Sequence, residues 1–146
     1  MLPTFQFVAT LTAALFAGAA IYINVAEHPA RMALDTRSAT IQWAPSYKRA
    51  TWMQAPLAIV SFLTGTGAWL LGGGRLWLLA ALLIGAVVPF TFIAIMPTNR
   101  RLLVANRDIG STGTRELLEH WAKLHAVRSV ASAIATVLML WALVLA

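Results

Sequence analysis

The chain lacks cysteine and has few charged residues. None of its 146 residues is cysteine, and only 11% are charged. The first absence excludes disulfide bonds, a thiolate nucleophile and a thiolate metal site, and it leaves the redox compartment open. An ordinary soluble domain has about a quarter of its residues charged. With 60% hydrophobic residues, this chain is predicted to have lipid and not water as its main solvent.

Acidic residues are scarcer than basic ones, which leaves a formal charge of +6. The basic residues lie beside apolar blocks and do not form a stripe with interleaved aromatics, so no nucleic acid partner is predicted. Membrane topology explains their positions better. The first residues lack the basic start and small-residue cleavage site of a signal peptide, so this segment is predicted to be a retained helix.

Four long apolar blocks dominate the sequence. A membrane-spanning helix needs about 20 apolar residues to cross about 30 Å of hydrocarbon. The blocks run approximately from Phe5 to Val25, from Met53 to Leu71, from Leu76 to Met96 and from Leu124 to Leu145. The predicted fold is therefore all-α, a four-transmembrane-helix bundle with antiparallel up-down topology that occupies residues 1–146 as a single domain. The short connection from Gly72 to Arg75 makes the second and third helices antiparallel neighbours.

Basic residues are concentrated in two of the predicted loops. Loop one carries Arg31, Arg37, Lys48 and Arg49, and loop three carries Arg100, Arg101, Arg107, Arg115 and Lys123. By the positive-inside rule, loops one and three are cytoplasmic and both termini face the opposite side, which predicts a bacterial inner-membrane protein. Arg31, Arg49, Arg100 and Arg101 are interpreted as interface anchors, and Thr114 as the N-cap of the last helix.

Polar residues of all four segments fall at one membrane boundary. A helix rises about 1.5 Å per residue, which brings a common set of side chains to the cytoplasmic boundary. The set is Asn24, Glu27, His28, Tyr47, Gln54, Asn99, Trp121, His125 and Arg128. A polar stripe on an apolar helix is expected to turn into the bundle, where partners satisfy it. The sequence therefore predicts a polar pocket that opens toward the cytoplasm.

Proton abstraction is the chemistry that these residue types favour. Glu27 or His28 would accept the proton, and Arg128 with Asn99 would stabilise the resulting anion. The predicted catalytic residues are Glu27, His28, His125 and Arg128, and the predicted substrate-binding residues are Asn24, Tyr47, Gln54, Asn99 and Trp121. The alternative is that His28 and His125 have only a structural hydrogen-bonding role.

A bound metal is the rival interpretation of the same residues. His28, His125 and Glu27 would supply two imidazoles and one carboxylate, which suit iron or copper. The two histidines would also serve as axial ligands of haem. No compact ligand motif supports a metal, and the preferred mechanism requires no cofactor.

Several segments together resemble a known family. They are Asn24-Val-Ala-Glu-His-Pro-Ala-Arg31, Trp43 to Gln54 with Ser46-Tyr47-Lys-Arg49-Ala, Pro97-Thr98-Asn99, and Trp121-Ala-Lys-Leu-His125-Ala-Val-Arg128. In these segments the chain resembles the anthrone oxygenase-like family of small four-helix membrane proteins over nearly its whole length. The resemblance implies an oxidoreductase that inserts molecular oxygen at an activated methylene of a hydrophobic aromatic substrate, converting an anthrone to an anthraquinone.

A second class of function stays open at this point. A non-catalytic membrane protein would bind a hydrophobic ligand, haem or a partner helix, with the polar residues only holding the helices in register. Gly65, Gly67 and the small residues of the first helix permit close contact between helices, so a homo-oligomer is a further expectation.

Overall fold

The computed structural model describes residues 1–145, which form four long helices and no strand. The helices are α1 (Leu2–Met32), α2 (Thr36–Gly73), α3 (Arg75–Leu102) and α4 (Thr112–Val144). Each is long and apolar enough to cross a membrane. The chain is therefore an all-α integral membrane protein, as the four apolar blocks predict.

The four helices pack in a ring in which each contacts two neighbours. Helices α1 and α3 each lie against α2 and α4. Ser61 of α2 donates a hydrogen bond to the Ala9 carbonyl of α1 at 3.0 Å, and Ser46 bonds to Glu27 nearer the other end. Residue numbers therefore rise along α1 as they fall along α2. The tight α2–α3 turn depends on Gly72 and Gly74, whose φ angles of 90° and 91° strain any residue with a Cβ.

The predicted first loop is mostly helix. Helix α2 begins at Thr36, so Arg37, Lys48 and Arg49 lie on the helix and not in a loop. Asp35 caps this helix by accepting a hydrogen bond from the Ser38 backbone amide at 3.0 Å, and the hydrogen bonds from Ser38 hold the pKa of Asp35 below its usual value. The apolar blocks miss this stretch because it buries only one face, through residues such as Trp43.

The N-cap of α4 is Ser111, so the prediction of Thr114 is wrong. Ser111 has the extended backbone of a capping residue and accepts a hydrogen bond from the Thr114 amide at 3.2 Å. Thr114 is itself inside the first turn and buried. Its hydroxyl donates to the Asp108 carbonyl at 2.8 Å and accepts from Arg107 at 2.7 Å, which ties the α3–α4 loop to the helix.

The bundle core has two layers, because the helices are longer than the membrane requires. Helix α4, for example, has 33 residues, and at a rise of about 1.5 Å per residue it is longer than the hydrocarbon layer of about 30 Å. One layer, in the apolar part of the bundle, includes Ala9, Ala13, Phe16, Ala80, Ile84 and Met139. The second layer lies on the side of the α1–α2 and α3–α4 loops and includes Ala39, Trp43, Ile95, Leu102, Leu118 and Trp121. Of the predicted polar residues, Trp121 belongs to the second layer, and His125 stacks on it.

Gly65 and Gly67, which the sequence suggested as contacts between subunits of a homo-oligomer, pack against other helices of the same chain. A Cβ on Gly65 would meet Ala81 at 3.1 Å and Met139 at 3.3 Å, and one on Gly67 would collide with the Phe5 ring. These glycines therefore let α2 approach its own neighbours. Their presence gives no separate support to a homo-oligomer.

Two helices contain a wide π-helical turn before a proline. The turns are Ile23–Glu27 in α1, ahead of Pro29, and Thr91–Ile95 in α3, ahead of Pro97. Proline lacks an amide hydrogen and its ring collides with the carbonyl one turn earlier, and a wide turn relieves both problems. Up to Phe90, α3 packs on both α2 and α4, whereas beyond the wide turn it packs mainly on α4.

Candidate functional site

An internal cavity lies among all four helices. Its walls are mostly apolar and include Phe16 of α1, Ala55 and Ala58 of α2, and Val87, Val88, Phe92, Ile95 and Met96 of α3. The lining also includes polar side chains: Tyr47, Thr51, Thr91, Asn99, Trp121 and Arg128. An apolar pocket with a few converging polar groups is the usual form of a small-molecule site.

Three of these polar side chains have hydrogen-bonding atoms that the protein does not use. Both amide atoms of Asn99, the Trp121 Nε1 and the Arg128 Nε are buried and make no hydrogen bond within residues 1–145. An unpaired polar group is costly in a membrane interior, and each such group in a native protein calls for a partner. The three side chains line the same cavity.

Arg128 brings a positive charge to this cavity. Its Nη2 donates to the Gln54 side-chain oxygen at 2.9 Å, and its guanidinium carbon lies 5.2 Å from the centroid of the Phe16 ring. The two ion pairs found in the described part of the chain are Arg31–Glu27 and Arg115–Glu119, and neither includes Arg128. An arginine held in place without a carboxylate is suited to stabilise an anion that forms in the cavity.

His125 lies beside the main cavity. It lines a small adjoining cavity whose lining shares Tyr47, Thr51, Trp121 and Arg128 with the larger one. The imidazole stacks on Trp121, with ring centroids 4.9 Å apart and an interplanar angle of 28°. The side chain is only 2% exposed. The stacking and the burial fix the ring in one orientation.

Asn24 determines which nitrogen of His125 carries the hydrogen. The Asn24 amide nitrogen donates to the Ala122 carbonyl at 3.0 Å, so its Oδ1 must point the other way. This oxygen accepts from the Ser129 hydroxyl at 2.7 Å and lies 2.7 Å from His125 Nδ1. An oxygen acceptor requires Nδ1 to be the donor, so the neutral imidazole has its lone pair on Nε2. Nε2 is then the atom able to accept a proton.

Glu27 and His28 form a separate cluster around Arg31. The Glu27 carboxylate accepts hydrogen bonds from Arg31 and Ser46, and His28 Nδ1 lies 3.1 Å from Arg31 Nη1. Neither Glu27 nor His28 lines the main cavity or the small one. They lie beside the two cavities and not in their lining: the His28 and Trp121 ring centroids are 5.4 Å apart, and Glu27 lines an open groove that shares Ser46 and Gln54 with the small cavity.

Arg31 is not the interface anchor that the sequence suggested. It is only 3% exposed, because its guanidinium turns inward to Glu27, His28 and the side chain of Gln42. The reason is local: one turn of helix separates Arg31 from Glu27, so the pair forms on the inner face of α1.

Replacing Arg31 should destabilise the protein. In Arg31→Gln the partly buried Glu27 carboxylate loses its cation, and we expect the free energy of unfolding to fall by about 2 to 3 kcal/mol. The measurement is equilibrium unfolding of the purified protein in mixed micelles. Arg37→Gln, at an exposed position of α2, is the matched control and should change stability little. Equal losses in the two variants would contradict a structural role for the Arg31 cluster.

The predicted metal ligands do not assemble into a metal site. In the part of the chain that the structure describes, no three His, Cys, Asp or Glu side chains come together to hold an ion. The Glu27 carboxylate is engaged by Arg31 and Ser46. His125 lines the small cavity, whereas His28 lines neither cavity. The two imidazoles therefore do not face a common space for iron, copper or haem.

The remaining predicted residues support the site at its edges. Tyr47 stacks on Trp43 at 5.1 Å and lines both cavities. Gln54 is buried and accepts a hydrogen bond from Arg128.

The sequence interpretation missed two residues of the site, Ser129 and Phe16. Ser129 follows His125 by four residues on the same helix face, so helical spacing was enough to find it, whereas nothing in the sequence marks Phe16 as a partner of Arg128.

The predicted opening of the polar pocket toward the cytoplasm stays a prediction. The second core layer, with Trp43, Leu102 and Leu118 buried, fills the bundle on the side of the α1–α2 and α3–α4 loops. Trp121 belongs to this layer, and an open groove between α1 and α2, lined in part by Glu27, Ser46 and Gln54, adjoins the small cavity beside it. The layer arises because the helices continue past their apolar blocks and bury a second set of side chains.

The fold and the cavity define a class of protein: a small four-helix integral membrane protein with an apolar cavity whose lining includes an arginine and an asparagine, next to a buried histidine. The sequence profile described as anthrone oxygenase matches residues 43–138, a range that includes Asn99, His125 and Arg128. The anthrone oxygenase tpcL of Aspergillus fumigatus is 31% identical over 137 residues, which cover 86% of this chain and 84% of that protein. No solved structure matches.

The chain therefore belongs to the anthrone oxygenase family. This confirms the resemblance inferred from the sequence motifs, and membership supports an oxygenase-type function. The profile begins within α2, so Asn24, Glu27 and His28 of α1 lie outside the matched range.

Proposed function

We propose that this protein is an anthrone oxygenase that oxidises a hydrophobic, flat aromatic ketone inside the four-helix cavity. The main structural support is the placement of Arg128 and Asn99, with unused hydrogen-bonding atoms, in the lining of an apolar cavity next to His125. The apolar walls suit the aromatic rings of such a substrate, and the polar side chains suit its carbonyl oxygen.

The first chemical step is removal of a proton from the methylene of the substrate. This methylene is acidic because it lies between two aromatic rings and its anion is delocalised onto the ketone oxygen. His125 Nε2 accepts the proton, since Nδ1 is occupied by Asn24. Arg128 and Asn99 donate hydrogen bonds to the ketone oxygen as negative charge develops on it.

The second step is the reaction of the carbanion with molecular oxygen. An electron passes from the carbanion to oxygen, and the two radicals combine to form a carbon–oxygen bond. Protonation of the distal oxygen by the histidine gives a hydroperoxide. Loss of the remaining methylene hydrogen as a proton breaks the oxygen–oxygen bond. One oxygen atom becomes the new ketone, the other leaves as water, and the product is an anthraquinone.

The proposed base differs from the one that the sequence alone favoured. Glu27 is held by Arg31 and Ser46, and His28 is outside the cavity. We therefore assign the base to His125 and give Glu27 and His28 a supporting role in α1. We retain the proposed orientation, with the α1–α2 and α3–α4 loops in the cytoplasm, because the basic residues of the chain are concentrated there.

Turnover of an anthrone is the direct test of this function. Protein in lipid nanodiscs is mixed with a hydroxylated anthrone, and oxygen uptake and anthraquinone absorbance are followed together. We expect one oxygen molecule consumed per anthraquinone formed, at a rate at least about a hundredfold above empty nanodiscs. A folded protein that gives only the spontaneous rate of the empty nanodiscs would refute the proposal.

A further inference from the structure

The wide turn in α3 leaves a gap between α3 and α2. Up to Phe90, α3 packs against α2, but beyond the turn at Thr91–Ile95 it packs mainly against α4. Pro89 just before the turn and Pro97 just after it both lack an amide hydrogen and favour this departure from regular helix. The second half of α3 and the facing part of α2 are therefore separated.

The cavity reaches the outer surface of the bundle at this gap. Thr51 and Ala55 of α2 line the cavity and are nevertheless exposed. Phe92 of α3 also lines the cavity and is 64% exposed. Residues that face both the cavity and the exterior form the rim of an opening. This rim belongs to the membrane-spanning helices and faces sideways, toward lipid.

An apolar groove on the outer surface leads to this opening. It is lined by Ala58, Ile59, Phe62, Leu82, Gly85, Ala86, Val88 and Pro89. Ala58 and Val88 belong to the lining of both the groove and the cavity. The apolar surface therefore continues from the outside of the bundle to the cavity that holds Arg128.

We infer that the gap between α2 and α3 is a lateral entrance through which a flat, apolar aromatic molecule passes from the bilayer into the cavity. The identity of the molecule rests on the proposed function. An apolar aromatic compound partitions into hydrocarbon, where its concentration far exceeds that in water. The layer around Trp43, Leu102 and Leu118 is packed on the loop side of the bundle, and the lateral route avoids it.

The entrance can be tested by blocking it reversibly. The chain has no cysteine, so Ala55→Cys introduces a single thiol at the rim. A bulky methanethiosulfonate reagent attaches a group there by a disulfide bond, and a reductant removes it. Ala14→Cys is the matched control, because Ala14 is an exposed alanine of α1 that lines neither the cavity nor the groove. Each variant before labelling is its own control for folding.

Two measurements are made on each labelled protein in nanodiscs. One is the rate of anthrone oxidation, and the other is the rate at which the unreactive anthraquinone product associates with the protein, followed by fluorescence quenching. We expect the label at residue 55 to slow association and to lower kcat/KM by about tenfold or more, with recovery after reduction, and the label at residue 14 to change neither.

The outcomes separate the entrance from the proposed chemistry. If no variant oxidises anthrone but the label at residue 55 alone slows anthraquinone association, the entrance is supported and the proposed reaction fails. If association and turnover are unchanged by the label at residue 55, or are slowed equally by the label at residue 14, the entrance is refuted whatever the enzymatic activity.

Discussion

His125→Asn is expected to lower kcat for anthrone oxidation by about 10² to 10⁴, the range that a general base contributes. Asparagine keeps a hydrogen-bonding side chain next to Asn24, which stays bonded to Ala122 and Ser129, so the helices should remain packed. It has no atom that accepts a proton near neutral pH. The measurement is anthraquinone formation under saturating substrate, with unfolding in mixed micelles recorded in parallel.

His120→Asn is the matched control for this prediction. His120 lies on the same helix but is exposed, so its replacement should leave kcat unchanged. Asn24→Ala adds an intermediate case, since it frees the His125 ring without removing it. We expect its kcat to fall less than that of His125→Asn, and the ¹⁵N spectrum of the imidazole to show a mixture of tautomers. Full activity in His125→Asn would exclude His125 as the base.

Arg128→Gln is expected to lower kcat/KM by about 10² to 10³, because one donor to a developing oxyanion is typically worth this much. The same change should leave the protein as stable as before or more stable. Arg128 is partly buried among the helices without a carboxylate partner, and its Nε makes no hydrogen bond within residues 1–145. A charge in such a place is unfavourable for folding and is typical of a functional position.

Opposite changes in activity and stability would distinguish catalysis from a structural role. Arg128→Lys is the conservative variant, and it should recover part of the activity because it keeps the charge but not the planar arrangement of donors. Comparing Arg128→Gln with Arg31→Gln sharpens the test, since only the latter should lose stability. Should Arg128→Gln lose stability and activity in parallel, Arg128 would have to be assigned to packing.

The oxygenase family and the membrane fold were accessible from the sequence because both depend on local patterns. A block of about 20 apolar residues has no other stable place than a bilayer, and each block could be recognised without its neighbours. The motifs around Asn24, Asn99 and His125 were likewise readable as short segments. Helix ends were less predictable: Ser111 and Thr114 are both good capping residues, and only the extended backbone at Ser111 decides between them.

The sequence by itself determined four helices long and apolar enough to span a membrane. It also predicted a set of polar residues at one depth, because the helical rise converts residue number into height. It did not determine which of these side chains share a space, since that depends on helix rotation and on the two wide turns. Only the tertiary structure shows that Glu27 pairs with Arg31, that His125 lies within hydrogen-bonding distance of Asn24, and that Arg128 lines the cavity. Lipid offers a polar side chain no hydrogen-bond partner, so the rotation of each helix decides which polar residues can meet inside the bundle.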